Sequence, residues 1–408
     1  MQRVYFDNNA TTPVLPEVLD AMRPYFGEHF GNASSIHHHG QETRAAVERA
    51  RESVAELLGC HASEVVFTSG GTESDNLAMF GLARAGDHII TSTIEHHAVL
   101  NGSKHLEEKG CEVNYVPVDG SGLVDPDDVK RALRPNTKLV TIMMANNETG
   151  VVQPVEGLGK VAAEADVYFH TDAVQAAGKI PIDVNQIGCD LLTISGHKLH
   201  APQGVGALYV RKGTRLEPML YGGRHERSRR AGTENVPGIV GLGKAAEMAG
   251  AGFKSGDDKI AAMRDRLERE LLTIESTGVN GAAANTHPSE AWVGHPRVPN
   301  TTNIYFDGIE GEALVIALDL KGLAVSTGAA CSSGAIEPSH VLIAMGLRPD
   351  RARASIRFSL GKQNSAEDVE FALSIVADTV ARLRKLSPVW NTAASHGPRA
   401  SSNQRVRT

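Results

Sequence analysis

The sequence predicts an α/β fold in which a mostly parallel β-sheet is covered by helices on both faces and is followed by a smaller α+β unit. Over the first 230 residues, short apolar or β-branched runs alternate with stretches of helical spacing, the order typical of parallel sheets. Beyond about residue 300 a second, shorter set of strands and helices begins. The chain has 408 residues, of which 41% are hydrophobic, enough for a large core in two or three domains.

The elements of the first part follow one another in chain order. The run QETRAAVERARESVAELLG has helical spacing and ends at a glycine, and EVVFTSGGTESDNLAMFGLA indicates a strand, a tight turn and a helix. Further strands are expected in DHIITSTIEHHAVL, EVNYVPVDG, KLVTIMMANNETG, DVYFHTDAVQ, CDLLTISGHK and GVGALYVR. The intervening DPDDVKRAL and VEGLGKVAAEA predict helices.

The second part is separated from the first by long helices. GIVGLGKAAEMAG and DDKIAAMRDRLERELLTI predict helices of the kind that bridge two domains. Strands are then expected in TNIYF, LAVST and ASIRFSL, and helices in GEALVIALDLKG and SAEDVEFALSIVADTVARLRKL. We therefore expect an N-terminal arm (1–15) that packs with the small domain, a large domain (16–255), a small domain (256–387) and a flexible polar tail (388–408).

Composition excludes several classes of function. The net charge is −7 and the basic residues are dispersed, so neither a nucleic-acid partner nor a membrane surface is expected. The first residues lack the apolar core of a signal peptide, and no apolar run approaches the roughly 20 residues that span a bilayer. The four cysteines form no C-x-x-C pair, which favours free thiols in the cytoplasm.

Polar clusters at the ends of the predicted strands are candidates for a binding site, because ligands of such sheets lie at the carboxyl ends of the strands. Gly70, Gly71 and Thr72 follow a strand and open a helix. Exposed N–H groups at a helix start bind phosphate, although many ordinary strand-to-helix turns have the same composition. This motif alone leaves the phosphate role and the ordinary turn equally open.

Lys198 also comes just after a predicted strand, and Ser195 and His197 precede it closely. A charged lysine is costly near an apolar sheet end, so its pKa should fall, and such a lysine suits a Schiff base. The alternative is a solvated lysine in a loop. Asp172, at the end of another strand, favours the first interpretation, because pyridoxal phosphate enzymes place a carboxylate opposite the pyridinium nitrogen.

Three further features each leave more than one interpretation. Arg357, between apolar strand residues, needs an anion, which is either a substrate carboxylate or an internal carboxylate partner. His96 and His97 are either metal ligands or, more economically, include one ring that stacks on a flat cofactor, and the histidine tract at 37–39 has no partner motif for zinc. Cys331, in STGAACSSG, is either an inert residue, half of a disulfide or metal site, or a nucleophile on a mobile loop.

Several motifs together resemble those of one family. They include FTSGGTESDN, EHHAV, NNETGVVQP, HTDAVQAAGKIPIDV, SGHKLHAPQGVGALYVR, RRAGTENV, ACSSG, EPSHVLIAMGL and SIRFSLG. The chain resembles cysteine desulfurases of the NifS/IscS kind, within the class V aminotransferases and the fold-type I pyridoxal phosphate enzymes, from YFDNNATTPV to RLRKLSPVW. The resemblance implies a seven-stranded, mostly parallel sheet in a large cofactor-binding domain.

The resemblance also implies roles for the matching residues. Lys198 would hold pyridoxal phosphate through a Schiff base, Asp172 would pair with the pyridine nitrogen and Gln175 would hydrogen-bond the phenolic oxygen. His96 would stack on the ring and shuttle protons. The implied cofactor-binding residues are Gly71, Thr72, Asn147, Asp172, Gln175, Ser195, His197, Lys198 and, from the second subunit of a homodimer, Thr233.

The implied reaction removes sulfur from L-cysteine. Asn147 and Arg357 would hold the substrate carboxylate, and Cys331 would take the sulfur as a persulfide while alanine leaves. No metal is expected beyond a transient cluster contact at Cys331. The persulfide would pass to an iron–sulfur scaffold or another acceptor protein, which requires a thiol that travels, and the glycine, serine and alanine around Cys331 supply that freedom.

Two other functions remain as alternatives. A selenocysteine lyase or another class V aminotransferase would keep the cofactor and change the chemistry. A non-enzymatic interaction subunit would keep only the fold, and the presence of both Lys198 and Asp172 disfavours it.

Overall fold

The structure is a computed structural model that describes residues 2–255, 259–281, 297–327, 337–388 and 390. The strands found there are, in chain order, β1 (Val4–Tyr5), β2 (Val65–Thr68), β3 (His88–Ser92), β4 (Glu112–Val116), β5 (Thr137–Thr141), β6 (Tyr168–Asp172), β7 (Leu191–Ser195), β8 (Gly206–Val210), β9 (Thr277–Val279), β10 (Thr301–Phe306), β11 (Leu323–Ala324) and β12 (Ser355–Ser359).

Helices alternate with these strands. The α-helices are α1 (Pro16–Met22), α2 (His38–Leu58), α3 (Gly71–Leu82), α4 (His97–Glu108), α5 (Pro126–Ala132), α6 (Val155–Glu164), α7 (Val184–Ile187), α8 (Val236–Ser255), α9 (Lys259–Leu271), α10 (Gly311–Asp319), α11 (His340–Ala344), α12 (Pro349–Arg353) and α13 (Ala366–Leu386). Short 3₁₀ turns occupy Arg23–Phe26, Ala62–Glu64, Gly196–Lys198 and His225–Ser228.

The large sheet has seven strands within the described residues, in the order β2-β8-β7-β6-β5-β3-β4. Strands β3 to β7 pair in parallel, and β8 runs antiparallel to both of its neighbours. The predicted fold class, with its mostly parallel seven-stranded sheet, is therefore confirmed. Because β2, β3, β5, β6 and β7 all run in one direction, their carboxyl ends lie along one edge, where the polar clusters follow.

Local signals explain where the helices bounding this edge begin and end. α2 stops at Gly59, whose φ of +70° is left-handed and suits glycine. α3 starts directly after Gly70, whose φ is +154°. The His96 side chain caps α4 by accepting the N–H of Ala98.

The smaller unit contains an antiparallel sheet in the order β12-β10-β9, with α13 and α10 packed on it. The strand expected in LAVST is shorter than predicted, because β11 covers only Leu323–Ala324 and its ladder with β1 is two residues long. Helix α13 begins with a capping box between Ser365 and Asp368. The predicted smaller α+β unit is confirmed.

Each part of the molecule has its own buried core. One core covers a face of the large sheet and includes Phe169 and Leu192, and the opposite face is covered by α3 and α4 through residues such as Leu77. Phe306 and Phe358 lie at the centre of the core of the small unit, which Phe6 of the N-terminal segment also joins. The division into the four segments given above remains a prediction.

Two predicted segments fall largely outside the described residues. They are the loop around Cys331 (328–336) and most of the tail beyond residue 388. In the portion of the chain that is described, no helix combines the length and the apolar character needed to cross a bilayer.

Candidate active site

Lys198 lies at the edge of the large sheet, in the 3₁₀ turn that follows β7. Its Nζ donates to the backbone carbonyls of Asn9, at 2.6 Å, and Ala10, at 2.7 Å. The N-terminal segment, 189 residues away along the chain, therefore holds the end of this side chain. The predicted Schiff-base lysine points to the same edge of the sheet as the other candidates.

Asp172 ends β6 and is 7% exposed. Its Oδ1 accepts the N–H of Val174 at 2.9 Å. Burial raises the pKa of Asp172 to about 6, against the lowering effect of that N–H and of the charge of Lys198. A second buried carboxyl, Asp75, is close enough to Asp172 for the two charges to interact. Burial, followed by the charge of Asp172, raises the pKa of Asp75 well above its ordinary value.

The turn Gly70–Thr72 before α3, called the Gly71 cradle below, packs closely against Val174 and the end of β7. A Cβ at Gly71 would lie 2.9 Å from Val174 Cγ2 and 3.6 Å from Ser195 Cβ. Ser195 is buried and Thr72 is exposed, so the turn is lined on one side by the end of β7 and opens to solvent on the other. The N–H groups at the start of a twelve-residue helix favour an anion here.

His96 lies at the start of α4, after β3. Its Nδ1 accepts the N–H of Ala98 at 3.1 Å, so the neutral ring carries its proton on Nε2. Burial, followed by the charges of Lys198, His97 and His340, lowers the pKa of His96 to about 4. The ring is therefore neutral at pH 7, which suits stacking and proton transfer and disfavours a fixed cation.

His197 adjoins Lys198 and contacts the N-terminal segment. Its Nδ1 lies 3.2 Å from Thr11 Oγ1, and its carbonyl accepts the N–H of Thr12. Burial, followed by the charge of Lys198, lowers the pKa of His197 to about 4. A neutral His197 is a hydrogen-bonding group at this edge of the sheet.

Gln175 and Asn147 lie beside the same N-terminal segment. Gln175 Nε2 donates to Asn9 O at 3.0 Å, and its Oε1 accepts from Lys179 Nζ at 2.5 Å. The carbonyl of Asn147 accepts from Asn9 Nδ2 at 3.1 Å. Both residues are therefore joined to Lys198 through Asn9.

Arg357, on β12, contributes a buried guanidinium from the small unit. Nη1 donates to Asn147 O at 2.9 Å, and Nη2 forms a salt bridge with Asp7 Oδ1 at 2.7 Å. Its Nε is buried without a hydrogen-bond partner among the described residues. Of the two anions that the sequence left open for Arg357, the internal carboxylate is therefore present, in Asp7. The unpaired Nε is a donor that could serve a second anion.

One predicted site residue is not joined to this group among the described contacts, and another lies outside the described residues. Thr233 is exposed, after the 3₁₀ turn His225–Ser228, and its contact with another subunit stays a prediction. Cys331 lies outside the described residues. The other three cysteines are free, and burial raises their thiol pKa values, to about 12 for Cys60 and Cys189. None of those three suits attack as a thiolate.

The structure adds residues that the sequence reasoning missed. Asn9 holds Lys198, Gln175 and Lys179, and Asp7 holds Arg357. The spacing of Gln175 and Lys179, four residues apart, could have indicated a pair. Asn9 had no such signal, because it acts on Lys198 through its backbone carbonyl.

The donor set fits pyridoxal phosphate. The helix start at Gly71 suits a phosphate, the buried Asp172 suits a pyridine nitrogen, and Lys198, which follows both in sequence, provides an amine at the same edge of the sheet. Within the described residues, no group of three or more histidine, cysteine, aspartate or glutamate side chains is arranged to hold a metal.

Comparison with known proteins agrees with this arrangement. The model of the aminotransferase class-V family matches residues 4–371. The cysteine desulfurase IscS of Methanosarcina thermophila is 50% identical over 390 residues, which cover 95% of this chain and 94% of the relative.

Solved structures give the same result. A NifS-like protein superposes with a TM-score of 0.85 at 37% identity, covering 94% of this chain and 100% of the other. A structure titled SspA in complex with cysteine gives a TM-score of 0.76 at 38% identity, covering 87% of this chain and 98% of the other. The predicted resemblance and the pyridoxal phosphate cofactor are confirmed. The chain belongs to the class-V aminotransferase family and, within it, to the cysteine desulfurases.

Proposed function

We propose that this protein is a cysteine desulfurase, which converts L-cysteine to L-alanine and passes the sulfur on as a persulfide of Cys331. The observation that carries the proposal is that Asn9 and the Asn147 carbonyl join Lys198 to Arg357. The buried Asp172 lies close enough to Lys198 for the charge of that lysine to lower its pKa. The cysteine desulfurase names of the relatives and the cysteine-bound structural neighbour support it.

The cofactor, when bound, supplies an electron sink at the α-carbon of an amino acid substrate. Asp172, at the end of β6, would hold the pyridine nitrogen. A protonated pyridine nitrogen would stabilise the ionised carboxylate of Asp172. Gly71, Thr72, Ser195 and His197 would hold the phosphate. Gln175 would donate to the phenolic oxygen.

The chain's own groups bind the substrate and move its protons. Arg357 would offer its unpaired N–H to the substrate carboxylate, together with Asn147. Lys198 would take the α-proton on Nζ, and the Nε2–H of His96 would supply a proton to the departing product. Each of these steps would use a side chain at the same edge of the sheet.

Sulfur transfer requires a nucleophile from outside this group. The Cys331 thiolate would attack the substrate sulfur, forming an S–S bond as the substrate's C–S bond breaks, and the carbon would keep the electron pair and later gain a proton to give alanine. The thiol pKa values of Cys60, Cys111 and Cys189 are all raised by burial, which leaves Cys331 as the candidate.

The acceptors and the assembly follow from the same proposal. The persulfide would pass to an iron–sulfur scaffold or another acceptor protein in the cytoplasm. A homodimer is proposed because Thr233 is exposed and because Phe26, Phe30 and Ile36 leave 68%, 70% and 91% of their surface exposed. Thr233 would then complete the phosphate site of the second subunit.

Replacement of Lys198 tests the proposal. Lys198→Ala should lose alanine production from L-cysteine and lose the borohydride-fixable attachment of pyridoxal phosphate, because the replaced side chain is the amine that Asn9 and Ala10 hold at this edge. The matched control is Lys254→Ala, whose side chain pairs with Glu56 on the surface. Cofactor fixed to a different lysine in the variant would contradict the assignment.

A selenocysteine lyase is the second candidate function. This enzyme would have the same cofactor site but would not require Cys331, because selenium can leave without attack by a protein thiol. Alanine production from L-cysteine that is unaffected by loss of Cys331 would favour this candidate.

A further inference from the structure

Lys179 is a half-buried lysine that the proposed reaction does not use. It lies beyond β6, and its Nζ donates to Gln175 Oε1 at 2.5 Å and to Asn9 Oδ1 at 3.1 Å. Both acceptors are amide oxygens. Burial lowers the pKa of Lys179 well below its ordinary value, and the charges of Lys198 and Arg357 lower it further. A lysine held in this position, close to two other cations, requires an explanation beyond packing.

The contact with Lys179 determines which end of the Gln175 amide faces which neighbour. Gln175 Oε1 accepts from Lys179, and Nε2 donates to Asn9 O at 3.0 Å. A flipped amide would turn its NH₂ group toward the amine of Lys179 and its oxygen toward a carbonyl oxygen. Both hydrogen bonds would be replaced by contacts between like groups, so the observed orientation is strongly favoured.

The position of Asn9 connects this amide to the reactive lysine. Asn9 O accepts both Gln175 Nε2 and Lys198 Nζ, the latter at 2.6 Å. The donor end of the Gln175 amide therefore faces the same carbonyl as the reactive amine. Nε2 has a second N–H, because an amide nitrogen carries two hydrogens.

We propose that Lys179 is a positioning residue that acts through Gln175, fixing its amide so that the N–H end faces Lys198 and the bound cofactor. Gln175 then donates to the phenolic oxygen and cannot present its own oxygen there. This inference rests on the proposed function, in which Gln175 contacts that oxygen. Lys179 itself does not touch the substrate or the reacting atoms.

A different mechanism would give Lys179 a direct electrostatic effect. As a nearby cation it could act on Lys198 through its charge alone, without the amide. Both mechanisms predict that loss of Lys179 raises the pH midpoint at which the bound cofactor's absorbance changes. Positioning predicts this because a donor to the phenolic oxygen is lost, and the charge effect predicts it because a cation that disfavours the protonated Lys198 nitrogen is removed. They differ in whether the effect requires the Gln175 side chain.

A double-mutant cycle separates the two mechanisms. The variants are Lys179→Met, Gln175→Met and the double variant, each loaded with pyridoxal phosphate and titrated by visible absorbance without cysteine. We expect Lys179→Met alone to raise the midpoint by about half a pH unit or more, the range of contact couplings. In the Gln175→Met background, loss of Lys179 should produce no further rise. A rise of equal size in both backgrounds would overturn the inference.

A second variant retains a donor and removes the cation. Lys179→Gln can still donate an N–H toward Gln175, so its midpoint should stay closer to wild type than that of Lys179→Met. An equal shift in the two variants would count against positioning through the amide, and this comparison remains usable if Lys179→Met folds poorly. The surface variant Lys254→Met is the matched control and should leave the midpoint unchanged, because Lys254 is exposed and pairs with Glu56.

The cycle also distinguishes failure of the inference from failure of the proposed function. If the wild-type protein binds pyridoxal phosphate but Lys179 acts equally in both backgrounds, only the role of Lys179 is wrong. If the wild-type protein shows no cofactor band, the proposed function and the inference are both wrong.

Discussion

At the scale of single residues, backbone groups and buried partners determine the chemistry of the site as much as its reactive side chains do. The Nζ of Lys198 is held by two carbonyls, and Arg357 is held by a carbonyl and by Asp7. These contacts fix the position of each cation at the site before the substrate binds. Preorganisation of this kind lowers the entropic cost of binding.

Arg357→Leu should raise KM for L-cysteine by about one to two decades, since a charge-assisted contact with a carboxylate contributes about 1.5–3 kcal/mol. Cofactor occupancy should stay near that of wild type. Steady-state kinetics and cofactor absorbance measure the two quantities. Arg266→Leu, which removes an exposed partner of Glu370, is the matched control. Loss of cofactor from Arg357→Leu would show that the pair with Asp7 is structural.

Glu95 predicts a specific dependence of stability on pH. It is fully buried, accepts from Ser92 and Met143, and burial raises its pKa from 4.5 to about 8. A raised carboxyl pKa contributes stability that is fully present below pH 4.5 and is lost as pH rises through 8. Between pH 6 and 7.5 Glu95 holds about one proton more in the folded state than in the unfolded state, so its own contribution to stability falls by about 1 kcal/mol per pH unit.

Glu95→Gln should remove this contribution. Urea unfolding at a series of pH values from 6 to 7.5 should give a free energy of unfolding whose slope against pH is more positive in the variant than in the wild type. The difference in slope isolates Glu95 from the histidines present in both. Parallel curves for the two proteins would mean that Glu95 is ionised in the folded state at neutral pH.

At the scale of elements, the 3₁₀ turn His225–Ser228 is held in a costly conformation by one buried ion pair. Glu226, Arg227 and Ser228 all have positive φ, at 44°, 57° and 65°. The Glu226 carboxylate accepts from both Arg51 Nη atoms, at 2.7 and 2.9 Å, and from the N–H of Phe67 on β2. The turn is thus fixed to the strand that leads into the Gly71 cradle.

Glu226→Ala should lower the free energy of unfolding by about 3 kcal/mol, because it leaves both buried Nη groups of Arg51 without a carboxylate and only Nε keeps one, in Glu48. The matched control is Glu56→Ala, which breaks the exposed pair with Lys254 and should cost less than about 1 kcal/mol. Urea titration of the two variants measures the difference. Equal losses would show that the turn does not depend on the buried pair.

At the scale of the whole molecule, the N-terminal segment joins the two parts of the chain at the site. Phe6 lies in the core of the small unit, while Asn9 bonds to the Asn147 carbonyl, to Thr301 and to Lys198. The groups proposed to bind cofactor and those proposed to bind substrate are therefore held by a single short segment.

The sequence predicts the large sheet and the edge that carries Lys198, Asp172 and the Gly71 turn, because parallel strands bring their carboxyl ends together whatever the loops do. It does not predict the contacts of Asn9, because a backbone carbonyl has no sequence signature. For Arg357 the sequence allowed either a substrate carboxylate or an internal carboxylate as the anion. The structure shows the internal carboxylate, Asp7, and leaves Nε without a hydrogen-bond partner among the described residues.

The central claim is that substrate sulfur moves to Cys331. Mass spectrometry of the wild-type protein after brief exposure to L-cysteine should find one added sulfur atom on the peptide that contains Cys331, together with released alanine. Cys331→Ser should still bind pyridoxal phosphate and should lose nearly all net desulfuration, because a hydroxyl cannot accept sulfur as a persulfide. Alanine production at the wild-type rate by Cys331→Ser, or added sulfur on Cys60, Cys111 or Cys189 instead, would contradict the account.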